Sequence, residues 1–181
     1  MNEDARSRMM VQMSSNLVVV ITGTNSGLGL ALAKEFHNAD YTVIATARPS
    51  NILYHPLNSQ QHNNVHIRPL DLISPESIEG LSKSIIEEFG RVDVLINNAG
   101  ISFRSAVEQM NRDEEALQMQ TNYFGPMTLI RSLLPYMREH GQGKIINISS
   151  VAGMMAMPTM GSYSASKFAL EGASEALWYE L

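Results

Sequence analysis

The sequence has 181 residues, of which 44% are hydrophobic, and its formal net charge is −5 with a pI near 5.5. This length and apolar fraction suffice for one domain with a buried core. The acidic balance, which no basic run offsets, argues against a nucleic-acid partner. The absence of cysteine excludes disulfides, thiol nucleophiles and cysteine metal sites, and it is compatible with a reducing cytoplasm.

The N-terminal segment, Met1 to Asn16, is polar and mixed in charge, which predicts a disordered leader rather than a signal peptide. No apolar run approaches the length of a membrane span, so we expect no membrane partner. The five histidines show no metal-ligand spacing, so we predict no metal and expect surface or loop positions for them. They are His37, His55, His62, His66 and His140.

The first predicted strand, Leu17 to Ile21, is a short β-branched apolar run typical of a buried parallel strand. It leads into Thr-Gly-Thr-Asn-Ser-Gly-Leu-Gly at residues 22–29, and apolar spacing then predicts a helix that begins in this glycine segment. Strand, glycine turn and helix N-terminus are the parts of a dinucleotide site, because pyrophosphate can approach the helix amides. A phosphate-loop nucleotidase is disfavoured because no Gly-Lys-Ser/Thr follows, and the glycine turn alone is weak evidence for a nucleotide.

The end of the second predicted strand, Tyr41 to Arg48, indicates which cofactor is used. An NAD site needs a carboxylate there for the ribose hydroxyls, whereas an NADP site needs a cation for the 2′-phosphate. Ala47 occupies the place of the acid and Arg48 follows it, which favours NADP(H) over NAD(H). The alternative is a solvated arginine at a strand end. Ser26 stands where a second basic residue would be, so we expect a moderate preference.

The remaining segments alternate between strand and helix patterns. A polar segment with Pro56 predicts a short or broken helix, and the long fourth helix contains Pro126 and Pro135 as expected kinks or breaks. This alternation predicts an α/β fold, a Rossmann-like doubly wound parallel sheet with helices on both faces. The predicted elements are the broken helix Pro49 to Asn64, strand Val65 to Arg68, helix Pro75 to Phe89, strand Val92 to Ile96, helix Arg112 to His140 and strand Lys144 to Ile148.

Three polar residues near the C-terminus suggest the chemistry. Tyr163 and Lys167 stand four apart, so on a helix they share a face, and the ammonium favours a phenolate beside it. Ser150, thirteen residues before the tyrosine, could hold a carbonyl oxygen while Tyr163 gives or takes a proton. Such a trio suits the interconversion of alcohols and carbonyls. Taken alone, Tyr-x-x-x-Lys is better explained as a chance pair on an exposed helix face, because a pattern with two fixed positions recurs freely.

The trio combines with the glycine turn, with Asn-Asn-Ala-Gly at residues 97–100 and with Asn122. Together these segments, which occur in order from Leu17 to the last residue, resemble the short-chain dehydrogenase/reductase family. The resemblance implies an NAD(P)-linked oxidoreductase. It also implies a catalytic domain over residues 17–181 that is incomplete at its C-terminus, because the family continues into further strands, a nicotinamide-binding turn and a substrate lid.

The resemblance implies a role for each matching residue. The three glycines match the turn under the pyrophosphate, Asp71 an acid that binds adenine, and Asn98 a brace on the adenosine side. Asn122 matches a residue that holds an ordered water, and Lys167 one that also binds the nicotinamide ribose. The implied catalytic residues are Asn122, Ser150, Tyr163 and Lys167. With Arg48, the implied cofactor-binding residues are Gly23, Asn25, Ser26, Gly27, Leu28, Gly29, Arg48, Asp71, Leu72, Asn98, Ala99, Gly100, Tyr163 and Lys167.

The loop between Ser150 and Tyr163 is rich in methionine. In the family this loop lines the substrate pocket, and flexible thioethers suit an apolar carbonyl or alcohol. Ordinary loop or subunit packing explains these side chains equally well. They are Met154, Met155, Met157 and Met160.

Three hypotheses follow. The first is an NADP(H)-dependent oxidoreductase acting on an apolar small molecule, truncated in this sequence, so that its fifth strand becomes an open apolar edge. The second is a nucleotide-binding module without turnover, because the C-terminal nicotinamide and substrate segment is missing. The third is an interaction protein, since in the family the two long helices form the interface of a homodimer or homotetramer.

Overall fold

The computed structural model describes residues 17–59 and 63–181, and its centre is a five-stranded parallel sheet. The strand order is β3-β2-β1-β4-β5, which confirms the predicted doubly wound arrangement. The expectation for residues 1–16 lies outside the described residues. The strands are β1 Val18–Thr22, β2 Thr42–Ala47, β3 Val65–Pro69, β4 Val94–Asn97 and β5 Lys144–Asn147.

Helices cover both faces of this sheet. Alternate residues of β1 face opposite sides, so Val18 and Val20 join one apolar cluster while Val19 and Ile21 join the other. The first cluster includes side chains of α2, α4 and the end of α5, and the second includes Ala33 of α1. A parallel strand with both faces covered reads as an unbroken apolar run, as β1 does. The helices are α1 Gly27–Asn38, α2 Pro75–Phe89, α3 Arg112–Met119, α4 Gly125–Glu139 and α5 Gly161–Glu180.

The helix α2 begins and ends where its sequence predicts. The Ser74 hydroxyl accepts the amide of Ser77 at 3.1 Å, and Pro75 occupies the first turn. Gly90 ends the helix with φ of 73°, a left-handed conformation that favours glycine.

The prediction for the long fourth helix was wrong about its interruption. A π-helical turn over Gln120–Phe124 separates α3 from α4, and α4 runs through both prolines without a break. Pro126 lies in the first turn of α4, where its missing N–H costs little, and Pro135 lies within α4. The turn brings Gly125 so close to Leu72 that an added Cβ would be 2.5 Å from the Leu72 carbonyl oxygen.

The segment after β2 contains two short helical turns, Pro49–Asn51 and Pro56–Ser59, in agreement with the expected broken helix. His55 lies in the loop between them, one of the two kinds of position expected for the histidines, but its side chain is buried at 3% exposure. Its Nδ1 accepts the amide of Leu57 at 3.2 Å, which leaves the proton on Nε2. Nε2 therefore donates to the Thr24 hydroxyl at 2.9 Å, which donates to the Thr46 carbonyl at 3.0 Å.

Burial lowers the pKa of His55, with a smaller opposing effect from the Thr24 backbone. Below the ordinary histidine pKa the unfolded chain therefore binds more protons, and the free energy of unfolding falls as pH drops towards the lowered folded value. His66 contributes in the same direction, because burial first and Arg68 second lower its pKa against the effect of Glu88. We expect His55→Gln to lose less stability than the unaltered chain between pH 7.5 and 5.5 in urea unfolding.

The matched control is His140→Gln, an exposed histidine just beyond α4. It should lose as much stability on acidification as the unaltered chain does. Equal losses for all three proteins would show that protonating Nδ1, which removes the acceptor of the Leu57 amide, costs no stability.

The last strand in the sheet order, β5, forms one edge, and no described residue pairs with its outer side. Ile146 in this strand is 41% exposed. Within residues 17–59 and 63–181, no helix combines the length and apolarity that crossing a membrane requires.

Candidate active site

A crevice of about 530 Å³ opens at the carboxyl ends of β1, β2 and β4. This is where the strand order reverses, because β1 lies between β2 and β4, and such reversals are the usual ligand sites of open α/β sheets. Thr22, Thr46 and Ala47 line it together with most of the predicted cofactor-binding residues. Those predicted residues are Gly23, Asn25, Ser26, Arg48, Asp71, Leu72, Asn98, Ala99 and Gly100.

The glycine turn closes one side of this crevice. Gly23 and Gly27 have φ of 72° and 57°, a conformation that side chains disfavour. Gly29 belongs to α1, where an added Cβ would overlap the carbonyl oxygen of Gly23 and the Asn98 amide. Three glycines therefore give the turn its shape and leave backbone amides at the start of α1 accessible to an anion.

We expect Gly29→Ala to abolish cofactor binding and to lower the free energy of unfolding by roughly 2 to 4 kcal/mol, because rigid backbone must shift to admit the methyl group. The matched control is Gly80→Ala in α2, where an added Cβ meets nothing within 4 Å. That change should be neutral or stabilise by about 0.5 to 1 kcal/mol, because alanine restricts the unfolded chain. Urea unfolding and titration with NADPH measure both. Tight binding by Gly29→Ala would contradict the close approach.

Asn98 links the glycine turn to β4. Its Nδ2 donates to the carbonyls of Thr22 at 2.9 Å and Gly23 at 3.1 Å. In return, the Thr22 hydroxyl accepts the amides of Asn98 and Ala99, both at 3.0 Å. Thr22 was not among the predicted site residues, although its place at the start of the glycine motif is a usable signal.

The crevice also carries residues predicted to contact the adenine and the phosphate. Asp71 is held by the amide of Ile73, which donates to its Oδ1 at 3.1 Å, and by Ser77, whose hydroxyl accepts its backbone amide at 3.0 Å. Arg48 and Ser26 are exposed at the crevice, and no ion pair among residues 17–59 and 63–181 involves Arg48. Its guanidinium is therefore available to an incoming phosphate.

Tyr163 and Lys167 lie in the first turns of α5, as the spacing predicted. The ammonium Nζ is 6.0 Å from the centre of the tyrosine ring and donates to the Ile148 carbonyl at 2.8 Å. Lys167 is 4% exposed, and burial lowers its pKa, with a smaller opposing effect from the Glu171 carboxylate. A buried ammonium that lies over the tyrosine ring and donates to the carbonyl just after β5 is positioned to stabilise negative charge nearby.

Ser150 caps the short helical turn Val151–Gly153, and its hydroxyl accepts the amide of Ala152 at 3.1 Å. This turn packs on α5, because a Cβ added at Gly153 would lie 3.2 Å from the Lys167 Cβ. Ser150 is thereby placed at the same end of β5 as the lysine. The methionines that follow are exposed at positions 154, 155 and 157, whereas Met160 is buried.

Asn122 lies in the π-helical turn and connects the crevice to α5. Its Nδ2 donates to the carbonyl of Ile101 at 2.8 Å and to the Ser166 hydroxyl at 3.0 Å, while Oδ1 accepts the Ile101 amide at 2.9 Å. A Cβ added at Gly100 would be 3.2 Å from Asn122 Oδ1 and 3.7 Å from Lys167 Nζ. The crevice wall at Gly100 therefore adjoins the lysine.

Other residues of this region were missed from the sequence. Ser166 donates to the Tyr163 carbonyl at 2.7 Å. Gln118, a residue of α3, is completely buried and bonds to α5. Within the described ranges, no group of three or more histidine, aspartate or glutamate side chains is arranged to hold a metal ion.

Comparison with known proteins identifies the class. The family model described as short chain dehydrogenase matches residues 17–181, and the chain therefore belongs to the short-chain dehydrogenase family. A 3-ketodihydrosphingosine reductase from Bacteroides thetaiotaomicron is 41% identical over 91% of this chain. A short-chain dehydrogenase from Streptomyces avermitilis is 38% identical over 92% of the chain, with a TM-score of 0.86. A metagenomic short-chain oxidoreductase solved with NADP is 29% identical over 93% of the chain, with a TM-score of 0.85.

The coverage is unequal. The chain spans 58% of the length of the Bacteroides reductase, 61% of the Streptomyces protein and 78% of the metagenomic one. The similarity therefore fixes the family and the fold, while the activity of this chain is a matter of proposal.

Proposed function

We propose that this protein is an NADP(H)-dependent oxidoreductase that interconverts a carbonyl and an alcohol on an apolar small molecule. The observation that carries the proposal is the meeting of two parts at Gly100: the glycine-lined crevice and the Tyr163–Lys167 pair. Relatives named as reductases and dehydrogenases support the reaction type. The NADP bound to a structural neighbour supports the cofactor.

The glycine turn fits a dinucleotide, because the left-handed Gly23 and Gly27 and the close packing of Gly29 on the Gly23 carbonyl form a tight turn that leaves the first amides of α1 open to a pyrophosphate. NADPH, when bound, would supply the hydride that adds to the carbonyl carbon. Tyr163 gives its hydroxyl proton to the carbonyl oxygen, which completes the alcohol, and takes a proton in the reverse direction. Lys167 stabilises the phenolate that remains, and Ser150 orients the oxygen by a hydrogen bond. Asn122 holds the loop at Ile101 and the helix that carries the pair.

Arg48 is proposed to select NADP(H) by pairing with the 2′-phosphate. The test is to titrate the purified chain separately with NADPH and with NADH and to monitor binding by protein fluorescence. We expect tighter NADPH binding, and an Arg48→Ala variant should lose that difference while binding NADH as before. Equal affinities in the unaltered chain would remove the cofactor preference and leave the reaction class untouched.

The substrate is proposed to be apolar because hydrophobic side chains are exposed in the segment after Ser150 and beside the start of α5. We define the apolar rim as Val107, Val151, Met154 and Met155, which are 84%, 63%, 79% and 59% exposed. Val151 follows Ser150, and Val107 is 3.7 Å from a Cβ added at Gly161, where α5 begins. The Bacteroides relative is named as the reductase of a ketone, which supports a carbonyl substrate here.

The experiment is to follow NADPH absorbance with unbranched ketones of increasing chain length. The apolar rim predicts that kcat/KM rises with chain length and that Met154→Gln weakens this dependence, whereas Leu53→Gln, an exposed change elsewhere, does not. Cofactor binding without turnover on any ketone would favour a nucleotide-binding module, an alternative that the incomplete coverage of relatives keeps open. The absence of both cofactor binding and turnover would favour an interaction protein.

We also propose a cytoplasmic homodimer or homotetramer that associates through the long helices α3, α4 and α5. Leu117 in α3, Phe124 in the π-helical turn and Phe168 in α5 are 38%, 47% and 45% exposed, and they offer apolar surface for a second copy of the chain to cover. Sedimentation at micromolar concentration should show association that Phe168→Asp abolishes. A folded species that stays monomeric would overturn this assembly.

A further inference from the structure

Gln118 is a buried polar side chain that the reaction scheme above does not use. It is 0% exposed, and both its amide oxygen and its amide nitrogen form hydrogen bonds with residues distant in the sequence. Its Oε1 accepts the backbone amide of Phe103 at 2.6 Å, and its Nε2 donates to the Ser162 hydroxyl at 3.0 Å. Ser162 directly precedes Tyr163 in α5, so one amide connects the loop after β4 to the residue beside the phenol.

Asn122, four residues later, repeats the same pattern. Its Oδ1 accepts the amide of Ile101, and its Nδ2 donates to the hydroxyl of Ser166. Two side-chain amides on one face therefore hold two backbone amides of one loop and two serines that are themselves four apart on α5. We define the two-amide clamp as Gln118 and Asn122 with these bonds.

The start of α5 depends on such contacts. Its N-cap residue, Met160, supplies no side-chain hydrogen bond to the first turn. The direction of the first turn is therefore set by tertiary contacts, and the bond from Gln118 reaches this turn at Ser162. An amide is required because the site needs an acceptor for one N–H group and a donor for one hydroxyl in the same dry space.

We propose that Gln118 is a positioning residue for Tyr163, acting through Ser162 and the loop at Phe103 as the second half of the two-amide clamp. The inference rests on the proposed function, since Tyr163 is the proton donor there. Gln118 does not line the cofactor crevice. We therefore expect it to affect the rate of the chemical step and not the binding of the dinucleotide.

The test compares Gln118→Leu with the unaltered chain under saturating NADPH. Loss of both bonds tilts the first turn of α5, and we expect kcat to fall about tenfold or more while the Kd for NADPH changes less than about twofold. Ser162→Ala, which removes only one bond, should give a smaller loss in the same direction. Adding Ser162→Ala to Gln118→Leu should lower kcat by less than Ser162→Ala lowers it in the unaltered chain, because both changes remove the same hydrogen bond.

Two controls separate positioning from general destabilisation. Gln142→Leu makes the same chemical change at an exposed residue before β5 and should leave kcat unaltered. Ile85→Val removes a methyl group from α2, which shares an apolar cluster with the end of α5 but takes no part in the clamp, and it should lower stability without lowering kcat at a temperature where the chain stays folded. A kcat loss in Ile85→Val equal to that in Gln118→Leu would overturn the proposal.

Hydrogen exchange gives a readout that needs no substrate. In Gln118→Leu, amides of residues 101–106 and 161–166 should exchange about tenfold faster, while those of β1 stay protected. Faster exchange with unchanged kcat would overturn the positioning role. If the unaltered chain binds NADPH but reduces no carbonyl, the proposed reaction fails by itself, and unchanged exchange in Gln118→Leu would then overturn the clamp independently.

Discussion

A chain carrying Tyr163→Phe will bind NADPH as tightly as the unaltered chain but will reduce its carbonyl substrate at least about a thousandfold more slowly. The substitution removes one oxygen atom, so the ring and its packing over Lys167 remain. Without the hydroxyl, the oxygen of the substrate has no adjacent proton donor when the hydride arrives. Single-turnover loss of NADPH absorbance measures the chemical step, and a fluorescence titration measures the cofactor affinity.

The control is Tyr179→Phe on the same helix, where the tyrosine is 79% exposed. It should leave both turnover and affinity within about twofold of the unaltered values, because surface changes are usually small. An active Tyr163→Phe variant would show that another group supplies the proton. Loss of NADPH binding in that variant would instead show that the hydroxyl holds the cofactor.

Much of the fold and of the cofactor crevice could be predicted because its signals are local. The run before residue 22 identifies a buried strand, the glycines identify the turn that follows, and Ser74 and Gly90 mark the ends of α2 by their own backbone chemistry. The placement of Tyr163 above Lys167 likewise needs only helical spacing. Each of these inferences depends on residues within a few positions of one another.

The π-helical turn could not be predicted, because one extra residue in a helix leaves no clear mark on apolar spacing. Pro126 therefore looked like the cause of an interruption that lies before it. The turn has a function in the fold, since it places Asn122 beside Ile101 and Ser166. Such turns occur often at functional sites.

The buried polar contacts of Gln118 and His55 were also beyond the sequence alone. Gln118 meets Ser162 across 44 positions, and His55 meets Thr24 across 31. A polar residue in a helix or a proline-containing loop normally predicts exposure, and only the tertiary partner reverses that expectation. The missing information is therefore the identity of the partner, which local chemistry does not contain.

The second large effect is expected at Lys167. Replacement by methionine should slow turnover by about a hundredfold or more, because the phenolate of Tyr163 loses its stabilising cation. The same change should raise the free energy of unfolding at pH 7 by about 1 kcal/mol, since a buried ammonium is replaced by an apolar side chain of similar shape. Turnover and urea unfolding, measured on the same preparations, test the expected loss of activity and the expected gain of stability together.

The pH dependence of stability distinguishes this explanation from simple packing. Burial lowers the pKa of Lys167 in the folded chain, so between that value and the ordinary lysine value the unfolded chain binds more protons. The cost of the buried ammonium is thus fully present below the lowered pKa and disappears as pH rises to the unfolded value near 10. Stability should therefore rise with pH in that window for the unaltered chain relative to Lys167→Met.

Lys34→Met provides the matched control, because Lys34 is exposed on α1. It should change stability by less than about 0.5 kcal/mol, because surface changes are usually small, and leave turnover intact. If Lys167→Met proves less stable at pH 7, the bond from Nζ to the Ile148 carbonyl outweighs the cost of burying the charge. The lysine would then stabilise the fold as well as the phenolate, and removing it would lower activity and stability together.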